Sequence, residues 1–115
     1  MKPRKQSSAA LLGSFEEQIM LAVLRTGADA HGMKIRREVE TVTGRSTSIG
    51  SVYATLDRLE AKGLIVSART TASAGVSRRV FQLTSAGERS LAETRAVRDR
   101  LWAGVSLRAA RDKSS

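Results

Sequence analysis

The chain contains no cysteine. That excludes a disulfide framework, thiolate chemistry and a cysteine-rich zinc site. Its single histidine, His31, excludes a multi-histidine metal centre and has no cysteine or acidic cluster beside it to build a triad. No carboxylate pair, nucleophile–base set or phosphate-binding loop is present, so an enzyme is not expected and no cofactor is implied. No apolar run approaches the ~20 residues of a membrane span. The basic, polar residues 1–8 are followed by no signal-peptide apolar core. The expectation is a cytoplasmic protein with no membrane contact.

What is abundant is positive charge. Twenty Lys and Arg against eleven Asp and Glu give a net charge of +9 and a pI near 11.3. Fifteen of the twenty cations are arginine, which forks onto phosphates and guanine edges better than lysine. Such an excess favours polyanions, because each cation docked on a phosphate releases condensed counterions. Solubility alone is the bland alternative. A membrane surface is disfavoured, because no helix pairs a strongly apolar face with a lysine-rich one. At 115 residues the chain suits one domain. A chain so short buries a modest share of its surface, which leaves room for stabilisation by dimerisation.

Residues 48–83 organise the sequence. Ser48 is a candidate N-cap. Ile49, Val52, Leu56 and Leu59 recur at three- and four-residue spacings and share a helix face. Gly63 is a helix stop. Residues 64–66 are a short apolar strand, residues 70–75 a small polar tip, and residues 77–83 a second strand with Val80 and Phe81 as β-formers. A helix running into a basic hairpin is the layout of a winged helix.

These residues resemble the PadR family of winged-helix transcriptional regulators, specifically its small-subunit branch. The family's helix pattern S-P-G-T-L-Y-P-x-L-x-R-L-E-x-x-G-L-I is met by Ser48, Gly50, Tyr53, Leu56, Arg58, Leu59, Glu60, Gly63, Leu64 and Ile65. Its wing pattern R-K-Y-Y-x-L-T-x-x-G is met by Arg78, Arg79, Phe81, Leu83, Thr84 and Gly87, with exchanges at Arg79 and Phe81. His31-Gly32 matches the family's H-G-Y, with Met33 for the tyrosine, and Leu12-Gly13 leads into the opening helix. Ile49 and Ala54 stand where the family has prolines. The likeness spans about residues 10–92. It implies an α+β, mostly helical fold: a winged helix–turn–helix with a two-stranded wing and an extra C-terminal dimerisation helix.

In chain order, residues 1–10 read as a basic arm, either a solubilising tail or a segment that reaches DNA. Residues 11–84 form the winged-helix DNA-binding domain. The first helix covers residues 14–26, with Ser14 and Glu17 as a capping box. Phe15, Ile19, Ala22 and Val23 share a face, and Met20, Leu21 and Leu24 make much of the rest apolar, which predicts burial between the chain's own domain and a dimer partner, or as the central core helix of a monomer. The second helix covers residues 31–43, with Ile35, Val39 and Val42 inward and Lys34 and Arg37 outward. Residues 85–110 form the last helix, opened by the Thr84-Ser85-x-x-Glu88 capping pattern, and residues 111–115 a polar tail.

In a helix–turn–helix the N-terminal residues of the second helix of the pair read the major groove. The candidate DNA-binding residues are Lys34 and Arg37 on the second helix, Ser48, Gly50, Ser51, Tyr53, Thr55 and Arg58 on the third, and Arg69, Arg78 and Arg79 on the wing. Each has a plainer reading. Ser48 and Ser51 can be a cap and its partner, Tyr53 a half-packed ring, Lys34 and Arg37 a solvated face, Arg58 a partner of Asp57 or Glu60, and the wing arginines edge protection. Alternation places Arg78 and Arg79 on opposite faces of the wing. Phe15, Ile19, Leu91, Val97, Leu101, Trp102 and Val105 are candidate dimer contacts, because the last helix carries an apolar stripe (with Ala109) that needs something to pack on. Trp102 reads as an interface anchor, or as part of a pocket for a small, flat, apolar effector, in line with some small members of the family.

The sequence thus predicts a homodimeric regulator, a repressor, bound to double-stranded DNA at a pseudo-palindromic operator. A protein-interaction module or a non-specific nucleic-acid binder is the alternative. The absence of any acid between Gly44 and Thr55 is what favours DNA.

Overall fold

The structure, a computed structural model, describes residues 9–71, 75 and 77–108. The basic arm up to Ser8, most of the wing tip, Ala109 and the polar tail lie outside the described residues. Four helices and a two-stranded sheet follow in the order α1 (Ser14–Thr26), a 3₁₀ turn (Gly27–Asp29), α2 (Gly32–Thr43), α3 (Ile49–Ala61), β1 (Ile65–Thr71), β2 (Ser77–Leu83) and α4 (Ser85–Trp102). The α+β winged-helix architecture expected from the sequence is what forms.

Each helix begins where its chemistry allows. Ser48 caps α3 by accepting the Ser51 N–H at 3.0 Å. Thr84 caps α4 by accepting the Gly87 N–H at 3.0 Å. The first helix differs from expectation. Its N-cap is Gly13 rather than Ser14, and Glu16 reaches back to the Gly13 N–H at 3.0 Å. The second starts after His31, whose carbonyl accepts the Ile35 N–H at 2.9 Å but whose side chain makes no capping bond. Gly44 and Gly63 end α2 and α3 in the left-handed region, with φ of 71° and 77°, where a Cβ would clash.

One core holds the three-helix body to the sheet. Ile19, Met20, Ile35, Val52, Leu56, Leu59 and Ile65 are fully buried, joined by Val23, Val39, Leu64 and Phe81. One sequence expectation fails at the margin of this core. Val42 follows the spacing of Ile35 and Val39 but lies in the last turn of α2, beyond the facing helix surface, and is 57% exposed. On α1, the body covers the Ile19–Val23 side, and Leu21 and Leu24 are exposed in the single chain.

β1 and β2 pair antiparallel, with Ile65 opposite Leu83 and Arg69 opposite Arg79. The hairpin is stitched to the body by an isolated β-bridge and a neighbouring main-chain bond. His31 forms a β-bridge with Val80, and the Phe81 N–H donates to the Ala30 carbonyl at 2.9 Å.

Helix α4 leaves the body at a tight junction. The Thr84 N–H donates to the Leu64 carbonyl at 3.1 Å, and the Thr84 hydroxyl donates to the Gly63 carbonyl at 2.7 Å. Along α1, the Leu12 N–H donates to Thr94 Oγ1 at 3.0 Å and Arg98 pairs with Glu17 at 2.6 Å. The helix ends at Trp102, not near Ala110. Ala103 turns to ψ 126° and Gly104 to φ 77°, so the chain departs from helical geometry there.

Gly87 lies against the Leu64 carbonyl so closely that a Cβ there would sit 2.0 Å from the oxygen. Both groups are backbone, so neither yields easily. Gly87→Ala is expected to lower stability by about 2 kcal/mol, although alanine is the better helix former. A melting temperature unchanged or raised in thermal unfolding would refute the close packing.

Candidate nucleic-acid interface

The turn between α2 and α3 is fixed by two side chains of α2. Arg36 Nε donates to the Thr47 carbonyl at 2.7 Å, and the Thr47 N–H donates to Glu40 at 2.8 Å. Arg36 and Glu40 also pair at 3.4 Å. This clamp satisfies both backbone groups of Thr47 and sets the approach of α3 to α2.

The exposed N-terminal end of α3 carries Ser48, Gly50 and Ser51. The Ser48 hydroxyl donates to the Ser51 hydroxyl at 2.8 Å while accepting the Ser51 N–H, so the two serines form one cap. A Cβ added to Gly50 would meet nothing within 4 Å. Glycine in a first helical turn weakens the helix, and here no packing inside the protein requires it. Arg45, in the turn before α3, is exposed and borders the same end, lining a groove with Ser46, Ser48 and Ser51. Sequence reasoning passed it over, although it stands in the acid-free run that marks this surface.

Tyr53 is half-buried and packs against the core. Its ring lies on Gly32, where a Cβ would come within 2.3 Å of the ring. Two separated sequence features, the His31-Gly32 pair and Tyr53, are therefore one packing contact. Tyr53 also lines a groove with His31, Met33, Arg69, Arg78 and Arg79 between the helices and the wing.

Thr55, a candidate DNA contact in the sequence, does not face outward. It is 3% exposed and its hydroxyl accepts from Arg58 at 3.3 Å. It sits one turn from both Val52 and Leu59 and so belongs to their buried stripe. Arg58 pairs with neither Asp57 nor Glu60 but with Glu16 of α1 at 3.7 Å. Lys62 joins the same carboxylate at 2.8 Å. Burial works to raise the Glu16 pKa, but the hydrogen bonds from Lys62 and the Gly13 N–H and the charges of Lys62 and Arg58 outweigh it and hold it low.

The two faces of the wing treat their arginines differently. Arg79 points toward α3 and donates to Glu60 at 2.8 Å, Asp57 at 3.1 Å and Ser67 at 3.1 Å. Its guanidinium lies 4.8 Å from the centre of the Phe81 ring, a cation–π distance. Burial opposes the charge on Arg79, yet its bonds to Glu60 and Asp57 raise its pKa. The hydrogen bond from Arg79 is the main cause that lowers the pKa of Glu60. Arg79 is thus a bracket between wing and α3. Arg78, on the other face, lies 3.5 Å from Asp29, and Lys34 of α2 lies 3.4 Å from the same oxygen. The His31 pKa is lowered by burial and by the charge of Arg78, despite Asp29. Arg37 and Arg69 are exposed and form no ion pair with another described residue.

Of the expected dimer contacts, Ile19 is fully buried in its own chain and closed to a partner. Phe15 and Leu91 pack on their own core, and Val97 is half-buried. Leu101 and Trp102 at the end of α4, and Val105 just beyond it, stand 72%, 52% and 52% exposed.

A three-helix body with a clamped helix–turn–helix, an open α3 N-terminus and a two-stranded basic wing defines a winged helix–turn–helix protein. RosR of H. salinarum shares this fold, with a TM-score of 0.66 over 93% of this chain and 92% of that one at 21% identity. A PadR-like transcription factor from Bacteroides fragilis matches at a TM-score of 0.65 and 26% identity, over 76% and 82% of the two chains. Residues 20–93 match the transcriptional regulator PadR-like family. Transcriptional regulator Rv3488 of Mycobacterium tuberculosis is 38% identical over 85 residues, 72% of this chain and 78% of that protein. The chain belongs to the PadR-like family of transcriptional regulators, and it is a regulator rather than an enzyme.

The bracket and the free arginines predict opposite sensitivities. Arg79→Gln should lower stability by about 1 kcal/mol, because Glu60 and Ser67 lose their donor. Arg37→Gln and Arg69→Gln should stay within about 0.5 kcal/mol of the parent. Urea unfolding of the three variants checks this, and equal losses in all three would refute it.

Proposed function

We propose that the protein is a homodimeric, sequence-specific DNA-binding repressor. It lays the N-terminal end of α3 in the major groove of a pseudo-palindromic operator and its wing along the neighbouring backbone or minor groove. The observation that carries this reading is Gly50. The fold gains nothing from a glycine there, whereas a nucleic-acid backbone or base edge gains close access. Ser48 and Ser51 supply hydroxyls beside it, Arg45 borders the same groove, and Arg37 on α2 and Arg69 on the wing are further guanidinium groups that form no ion pair with another described residue. Tyr53 and Arg78, from the groove between helices and wing, and Lys34 of α2 are the remaining contacts. Arg58 and Arg79 act by holding α3 and the wing in place. Occupancy of an operator is enough to block transcription, so repression is the simplest outcome.

Dimerisation is supported by the end of α4. Leu101, Trp102, Val105 and Leu107 expose apolar surface beyond the last bond of that helix to α1. Pairing with a second copy covers them and presents two α3 helices about 34 Å apart, one turn of DNA. A flat apolar effector between paired Trp102 rings would then bias the spacing of the two α3 helices.

Gly50→Ala should raise stability by about 0.5–1 kcal/mol and weaken retention of operator DNA at least tenfold. The assay is binding to fragments of upstream DNA against excess random duplex at two salt concentrations. Equal retention of every fragment would refute sequence-specific binding. A variant carrying Leu101→Asp and Trp102→Asp should run as a monomer by light scattering and lose cooperative half-site binding. A dimer that persists would move the interface elsewhere. Trp102 fluorescence unmoved by planar hydrophobic compounds that alter DNA binding would remove the effector site.

A further inference from the structure

Asp29 is an acid in the middle of a cationic surface, and three positive or protonatable groups converge on one of its oxygens. Asp29 Oδ2 lies 3.4 Å from Lys34 Nζ, 3.5 Å from Arg78 Nη1 and 4.0 Å from His31 Nε2. These groups come from three places: the body of α2, the second wing strand and the residue just before α2. We propose that Asp29 is an internal stand-in for a DNA backbone phosphate, holding Lys34 and Arg78 in the free protein at the point where a phosphate oxygen takes them over. The proposal rests on the DNA-binding reading given above and identifies how two of its contacts are preset.

Three observations carry it. First, the fold does not need this carboxylate. The Asp29 turn is held by main-chain bonds, from the His31 N–H to the Asp29 carbonyl at 2.9 Å and from the Phe81 N–H to the Ala30 carbonyl at 2.9 Å. Second, the pairs are long and half exposed, with side-chain exposure of 39–48% for Lys34, Arg78 and Asp29. Such pairs are weak and exchangeable. They differ from the Arg79 bracket, which is shorter and more covered. Third, Asp29 is ionised. Burial works to raise its pKa, but the hydrogen bond from Lys34 and the charges of Lys34, His31 and Arg78 hold it below the ordinary value. A phosphate brings more acceptor oxygens to the same donors and forms stronger charge-assisted bonds than a single carboxylate oxygen.

Two consequences follow. The carboxylate keeps the wing arginine and the α2 lysine gathered before DNA arrives. It also opposes every approaching phosphate, so it lowers affinity for all duplexes alike and leaves sequence preference unchanged.

The test is Asp29→Asn, which keeps size and removes charge. Binding to random duplex and to the retained operator fragment is measured by fluorescence anisotropy from low to moderate salt. The variant should bind both about fivefold tighter at low salt, with a salt slope steeper by about one. The ratio of operator to random affinity and the melting temperature should hardly change. The gain should vanish in a chain that also carries Lys34→Gln and Arg78→Gln. Glu93→Gln, which removes the same charge from an exposed pair with Arg100 on α4, should give no comparable gain. Unchanged or weaker binding by Asp29→Asn would overturn the proposal. So would a gain that survives loss of Lys34 and Arg78, or one matched by Glu93→Gln. Failure of the parent protein to bind any duplex would overturn the DNA-binding reading itself, and the proposal with it.

Discussion

The carbonyl of Leu64 is the constraint on which the architecture turns. It lies where α3 has just ended at Gly63, where β1 begins, where β2 has just ended at Leu83, and where α4 starts. The oxygen accepts the Thr84 N–H, and Gly87 presses against it with no room for a Cβ. Thr84 secures the same place twice more, donating to Gly63 and capping α4. The α3 end, the hairpin and α4 therefore share one small knot of backbone. Once it is tied, the wing can only emerge beside α3, and α4 can only return along α1.

Around that knot the positive charge is sorted rather than spread. Arg58 and Lys62 are spent on Glu16, holding α3 to α1. Arg36 is spent on the α2–α3 turn, and Arg79 on the wing's attachment to α3. Lys34 and Arg78 are loosely held by Asp29, and Arg37, Arg45 and Arg69 form no ion pair among the described residues. A net charge of +9 thus resolves into cations that build the fold and cations left for a partner. Strong pairs shape the surface and weak or absent pairs mark where it is open.

Much of this was legible in the sequence because it depends on local geometry. Ser48, Gly63 and Thr84 announce caps and stops through their own chemistry, and strand alternation separates Arg78 from Arg79 without any coordinates. The pairing of Arg79 with Asp57 and Glu60 was not legible, because it depends on how a wing folds back over a helix 19 and 22 residues away. The same holds for Glu16 and Lys62, 46 residues apart. Thr55 was misread for a different reason. It stands one turn from both Val52 and Leu59, inside their buried stripe, and the nearby Arg58 satisfies its hydroxyl within the fold. Val42 kept the helical period after the core had run out, because periodicity marks a face and not how far along the helix that face is covered. At the end of α4 the apolar stripe drew the helix on toward Ala110, whereas Ala103 and Gly104 end it, and Gly104 was the visible signal.

The strand-like stitch at Ala30 and His31 has a mechanical meaning. With the Phe81 N–H bound to the Ala30 carbonyl and Val80 bridged to His31, the base of the hairpin belongs to the same rigid piece as α2. The span from the wing's arginines to the exposed end of α3 is therefore fixed before any nucleic acid is met. On the DNA-binding reading proposed above, a molecule built this way would gauge groove width as a caliper does: a duplex whose backbone lies too near or too far would have to deform to fit, and its stiffness would become part of what is recognised.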